Sequence, residues 1–234
     1  MSTENTGSEP FNEKTANEQP LAHMNKLSSY LTEEEELAFM NILYSSSAVI
    51  RAGNFGLRRK DVEDILGIKN DDEKFYSFIN RVNQGLSRYY RLIYDGERDQ
   101  VVAMLRVTAK KAKETLSQEA LAILLLMFYQ QEVIQHPFTL LSQIFDAFGH
   151  ETMGASNLIK TNISALKRIG AVHEISSDSN EEAYQVTAIG TNMFSDSFLR
   201  RVVEFSQSRP FNKEEILKFF KRYNLKSSRE EDVE

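Results

Sequence analysis

Lys160, Lys167 and Arg168 are the residues whose type and spacing best suit a ligand, and the ligand they suit is a phosphate backbone. At about 100° per residue they share one arc of a helix with Ser164, opposite the apolar positions Ile159, Ile163, Leu166 and Ile169. A recognition helix meets a nucleic-acid groove with such an arc. An ordinary solvated helix face would carry the same cations. On this arc no Arg and Asn are obviously placed together for bidentate base reading, so sequence-specific recognition is weakly supported. Lys110 and Lys111, in the basic stretch from Thr108 to Glu114, are the second candidates for a DNA contact.

Chemistry of other kinds finds no footing. The chain has no phosphate loop, no strand–GxGxxG–helix, no HExxH and no GxSxG. His23, His136, His150 and His173 are scattered without ligand spacing, and cysteine is absent, which excludes a disulfide framework or thiolate metal site. The run Glu33 to Glu36 reads as a helix first turn favoured by the macrodipole. The expectation is therefore no catalytic residue, no cofactor and no metal.

The elements that must position the basic arc form an order written twice. From Thr32 to Arg106 the pattern predicts a helix, a short helix, an amphipathic helix and a β-hairpin, and from Ser117 to Ile189 it predicts the same again. Thr32 with Glu35 is a capping box, opening a helix with apolar positions Leu37, Met40, Leu43, Tyr44 and Ile50. Lys60 to Leu66 reads as a short helix stopped by Gly67. Asp71-Asp72 caps a third, whose stripe is Phe75, Phe78, Ile79, Val82 and Leu86. In the second unit a helix apolar all round, Ala120 to Tyr129, must be buried on every side. Thr139 is expected to cap a short helix to Phe148. A helix over about 155–169 carries the basic arc, and Ala171 to Ser176 with Ala183 to Ile189 make the second hairpin. Helices over Met193 to Phe205 and Lys213 to Tyr223 complete the pattern.

The first hairpin, Arg88 to Tyr94 and Gln100 to Val107 around Asp95-Gly96, is apolar on both faces. Successive strand residues point to opposite sides, so Tyr89, Ile93, Val102 and Met104 cannot face the same small core as Tyr90 and Leu92. Either the second unit covers the outer face or another molecule does. Tyr89, Tyr90, Arg91, Ile93, Val102 and Met104 are accordingly the candidates for a partner or homodimer interface, being of types enriched there.

Bulk properties narrow the class. A chain of 234 residues has room for two small domains. Its net charge of −6 repels DNA on average, so any DNA contact must be local or weak. Part of the acid lies in the ends, Ser2 to Glu18 and Arg229 to Glu234. The N-terminal stretch has no apolar core of a secretory signal. The longest apolar run falls short of the ~18–20 residues that span a bilayer, so no membrane role and a cytoplasmic location are expected.

Three helices closed by a two-stranded wing make a winged helix. The expected fold is mainly α with small β-hairpin wings: an acidic tail over 1–28, winged-helix domains over 29–108 and 109–190, a helical extension over 191–224 and a tail over 225–234. The order resembles the kite family, the kleisin-interacting tandem winged-helix subunits of bacterial condensin-type complexes (the MukE, MksE and Wadjet type). The phrases that carry it are Arg91-Leu-Ile-Tyr-Asp95, Val101-Val-Ala-Met-Leu-Arg106, Leu116-Ser-Gln-Glu-Ala-Leu-Ala-Ile-Leu124 and Ile163-Ser-Ala-Leu-Lys-Arg-Ile-Gly-Ala-Val172. The resemblance implies a non-catalytic dimer that binds the kleisin of an SMC-type ATPase, touches DNA secondarily and is nucleoid-associated. A tandem winged-helix transcription regulator or replication initiator, and a stand-alone adaptor without a DNA role, stay open beside it.

Overall fold

The computed structural model describes residues 29–46, 55–87, 89–106, 116–148, 153–176, 181–208 and 214. Among these it is mainly helical, with small antiparallel sheets. The first half contains α1 (Glu33–Ser45), α2 (Arg59–Leu66), α3 (Asp72–Gly85) and the hairpin β1 (Tyr90–Asp95) with β2 (Gln100–Leu105). The second contains α4 (Gln118–Phe128), β3 (Thr139–Leu140), α5 (Leu141–Phe148), α6 (Met153–Arg168) and the hairpin β4 (Val172–Ile175) with β5 (Ala183–Val186). A single turn, α7 (Ala188–Thr191), and then α8 (Asp196–Ser208) complete it.

Local signals set most of these boundaries. Thr32 and Glu35 form the reciprocal capping box, Asp71 caps α3 by accepting from the Lys74 N–H, and Ser117 caps α4 through the Ala120 N–H. Gly67 stops α2 in the left-handed region, which costs glycine nothing. The stripe Phe75, Phe78, Ile79, Val82 and Leu86 is buried as its period requires.

Other elements depart from the sequence pattern. The face that α1 buries is Ala38, Phe39 and Ile42, whereas Leu37, Met40 and Tyr44 stay 57%, 45% and 59% exposed. Two apolar stripes compete on this helix, and the aromatic Phe39, wedged edge-on to Tyr90, takes the core. Ile50 lies outside the described residues. Thr139 begins a strand, not a helix: it pairs with Tyr184 and the helix starts two residues later. The second hairpin strand ends at Val186, and Thr187 caps α7 in place of further strand. The tails and the segment after Ser208 lie outside the described residues apart from Glu214.

A feature common to both halves ties each hairpin to its helices. In the first, Leu57, between α1 and α2, exchanges backbone hydrogen bonds with Val101 of β2 at 3.0 and 2.6 Å. In the second, β3, between α4 and α5, pairs antiparallel with β5, giving the order β3–β5–β4. The strand after the hairpin turn therefore has a partner on each side, which a free two-stranded ribbon lacks.

Two side-chain amides finish these small sheets. Asn83 of α3 accepts from the Leu92 N–H at 2.7 Å and donates to its carbonyl at 2.8 Å, closing the outer edge of β1. Gln131 sits in a π-helical turn, Tyr129–Val133, that extends α4. It donates to the Tyr184 carbonyl (3.0 Å) and the Thr139 hydroxyl (3.1 Å) and accepts from the Val186 N–H (2.9 Å). Each amide stands where a further strand would supply peptide groups.

Two cores result. Phe39, Phe75, Phe78, Leu92 and Val101 centre the first, and the apolar run of α4 from Ala120 on centres the second, with Ile144, Ile163, Tyr184 and Val202 around it. A third, smaller cluster joins the halves: Phe55 and Val102 from the first against Ala188 and Ile189 from the second, with Ile93 and Met104 alongside.

Candidate functional site

The first hairpin alternates as a strand pair must. Leu92, Val101 and Ala103 point into the first core with Tyr90 and Tyr94, while Ile93, Val102 and Met104 point the other way. The outer face is covered by α7 of the same chain. Val102 keeps no exposed surface, and Ile93 and Met104 are half-buried in the same cluster. Of the two covers that strand alternation left open, the second unit of the same chain supplies one. Of the remaining interface candidates, Tyr89 and Tyr90 are half-buried, Tyr90 against the first core, and Arg91 is exposed.

Arg98, in the turn of this hairpin, locks the joint. Its guanidinium donates to the Val186 carbonyl at 3.1 Å, to Asp95 at 3.0 Å and to Glu132 of the π-helical turn. One partly buried cation thus reads a carbonyl of β5 and a carboxylate beside Gln131. Charge-assisted bonds of this kind fix geometry as well as adding energy. Periodicity could not single out Arg98, because a turn residue carries no facing information in the sequence.

Beside it lies a cleft of about 360 Å³, lined by Phe55, Arg98, His173, Gln185 and Thr187 among others. The His173 Nδ1 atom is buried there without a hydrogen-bond partner. Burial first, and the Arg98 charge second, hold the imidazole below its ordinary pKa. The native state then binds fewer protons than the unfolded chain, so stability is full above about pH 6.5 and declines as pH falls from there toward the lowered native value. The urea midpoint should accordingly drop between pH 7.5 and 5.5, and His173→Gln should flatten that part of the profile. An unchanged slope would show that His173 is not its source.

The basic arc on α6 assembles as its spacing requires, but two of its three cations are paired. Lys167 Nζ lies 2.5 Å from Glu174 Oε2 on β4, and Lys160 Nζ lies 3.2 Å from Glu182 Oε1 at the start of β5. Arg168 is exposed and has no ion-pair partner among the described residues. Glu182 is held in place by the buried Tyr184, whose hydroxyl donates to its second oxygen at 2.5 Å. That bond, and then Lys160, keeps the Glu182 carboxyl below the usual range. Burial, followed by Glu182, pushes the Tyr184 phenol up. The neighbouring Glu181 accepts the Ser142 N–H in the first turn of α5 at 2.7 Å. The stretch from Asp178 to Glu182 is acidic in the sequence, but no local spacing pairs its carboxylates with α6. Lys110 and Lys111 lie outside the described residues.

Among the described residues, no group of three or more His, Asp or Glu side chains is gathered to hold a metal ion, and no helix is long and apolar enough to cross a membrane. Neither the known protein-family models nor the curated proteins include one that matches this chain.

Proposed function

We propose that this chain is a non-catalytic tandem winged-helix protein of the kite kind: a cytoplasmic, nucleoid-associated subunit of an SMC-type complex that binds its kleisin and assists chromosome organisation or plasmid defence. The observation that carries the reading is the repeated topology. Each half runs helix, pairing strand or bridge, helix, helix, hairpin, with the early strand or bridge adding to the second hairpin strand. That order matches the connectivity of a winged helix and supports the tandem reading, and the two halves meet in the packed cluster around Val102.

Two further features favour scaffold over reader. Lys160 and Lys167 of α6 are occupied by carboxylates of the adjacent hairpin, which disfavours a sequence-reading regulator or replication initiator. The exposed stripe Leu37, Met40 and Tyr44, spaced three and four apart, forms one continuous ridge on α1. Beside it lie the exposed Glu33 and Glu34. An apolar ridge with an acidic end fits an amphipathic partner helix with basic flanks, as a kleisin segment could supply.

The test is affinity capture of the tagged full chain from its native cells, followed by reconstitution with the retrieved subunits. A coiled-coil ATPase and its linker protein, binding directly and with defined stoichiometry, are the expected result. Capture of neither, with the chain instead bound to one promoter or origin sequence, would favour the regulator. Leu37→Asp, Met40→Asp and Tyr44→Asp should each leave stability within about 0.5 kcal/mol, because exposed side chains contribute little to the core, yet weaken the linker complex at least tenfold. Unchanged binding in all three would take α1 out of the interface.

A further inference from the structure

We propose that the α5–α6 face of the second half is a polyanion-binding site held shut by the carboxylates of its own hairpin. The inference rests on the winged-helix reading of that half and names how its basic face is regulated. Three donors on this face suit phosphate oxygens: Lys160 and Lys167, about 10 Å apart along α6, and the Ser142 N–H in the first turn of α5. All three are taken by carboxylates from the adjacent hairpin, Glu182, Glu174 and Glu181 respectively. The occupation is built, not incidental. Glu174 is fixed by its place in β4, and Glu182 is oriented by the hydroxyl of a tyrosine that is only 3% exposed.

The lock is also weak enough to open. Both lysine pairs are half in water, with side-chain exposures of 40–49%, and ion pairs so placed are worth little individually. A phosphodiester strand offers the same oxygens in a row and gains from counterion release, which the internal carboxylates cannot. Arg168, exposed and unpaired among the described residues, is the first cation that such a strand would meet. The hairpin therefore lowers non-specific affinity without removing the site, so DNA is admitted only when something draws the hairpin carboxylates away or concentrates the polyanion.

The experiment compares the full chain with a Glu174→Gln, Glu181→Gln, Glu182→Gln variant for binding to a short labelled DNA duplex across a salt series, with heparin as a second polyanion. The variant should bind DNA roughly tenfold tighter or more at low salt, with a salt slope steeper by about two units for two freed lysines. Adding Lys160→Ala and Lys167→Ala should cancel both gains. Equal gains for heparin would assign a general polyanion site, and a larger gain for DNA a site shaped for the duplex. Each outcome keeps the lock. An affinity and slope equal to the wild type, or a gain that survives loss of the two lysines, would overturn it. Should the triple variant fold poorly by circular dichroism, Glu174→Gln alone frees Lys167 and should steepen the slope by about one unit. Partner capture does not depend on these carboxylates, so a failure here leaves the scaffold reading standing, and the reverse holds too.

Discussion

Replacing Gly190 by alanine is expected to destabilise the protein by about 3 kcal/mol, at the upper end of what overpacking usually costs. A Cβ at this position would stand 2.1 Å from the Ala171 carbonyl oxygen, 2.8 Å from a Val186 methyl and 3.0 Å from the Ala171 carbonyl carbon. A flexible side chain could swing away, but this carbonyl cannot. It already accepts the Thr187 N–H at 3.0 Å and the Thr187 hydroxyl at 3.2 Å, the bonds that start α7. The extra methyl must therefore push α7 off the second hairpin. Because Ala188 and Ile189 of that turn cover Val102 and Phe55, the displacement should also loosen the joint between the halves. Urea denaturation monitored by circular dichroism would measure the loss, with Gly96→Ala as the comparison. At Gly96 the added Cβ meets only the Tyr94 ring at 3.8 Å, so the change should fall within about 0.5 kcal/mol. Equal effects of the two substitutions would mean that α7 does not pack against the second hairpin.

Gln131→Leu should be nearly as costly, about 3 kcal/mol, because the leucine leaves the buried Val186 N–H without its acceptor and takes a donor from the Tyr184 carbonyl and the Thr139 hydroxyl, where a buried group left wholly unsatisfied costs about 1–3 kcal/mol. The volume is nearly conserved, so the effect isolates polar satisfaction from packing. The Val186 N–H loses its side-chain acceptor, and the Tyr184 carbonyl and Thr139 hydroxyl lose a donor. Amide hydrogen exchange at Val186 should accelerate more than exchange in the first half. Val186 protection that is unchanged, or stability within error of the wild type, would show that water or a shifted backbone replaces the amide.

Both predictions concern residues to which periodicity is blind. Gln131 is a polar side chain at the end of an apolar helix, where a pattern of burial marks it as a surface position. Its role depends on the π-helical turn that rotates it toward β5, and on a strand that begins more than fifty positions later in the chain. Asn83 lies off the apolar stripe of α3, which marks it in the sequence as a polar position and nothing more. Its pairing with the Leu92 backbone depends on the crossing of α3 over β1. Leu37, Met40 and Tyr44 show the opposite failure: a helical period was present and correctly read, but Phe39 filled the core on another face.

The basic arc and the two-sided hairpin divide more evenly. Spacing on α6 is local, so Lys160, Lys167 and Arg168 could be placed on one face from the sequence. That Glu174 and Glu182 neutralise two of them is a contact between elements, so no local pattern encodes it. Strand alternation likewise required both faces of the first hairpin to be covered. Whether the cover came from α7 or from another chain depended on how the halves pack.

By itself, the sequence determined the features governed by short-range rules. It set the caps at Thr32, Asp71 and Ser117, the stop at Gly67, the buried stripe of α3, the all-round burial of α4 and the repeated order of helices and hairpins. Backbone sterics and side-chain period produce all of these, and both act over a few residues. The tertiary structure alone decided that Leu57 and Thr139 pair with the hairpin strands, that Arg98 and Val102 join the two halves, and that Lys160 and Lys167 of α6 are already occupied. Each of these depends on groups distant in sequence meeting at hydrogen-bond or van der Waals range, and only the packing of the whole chain brings them there.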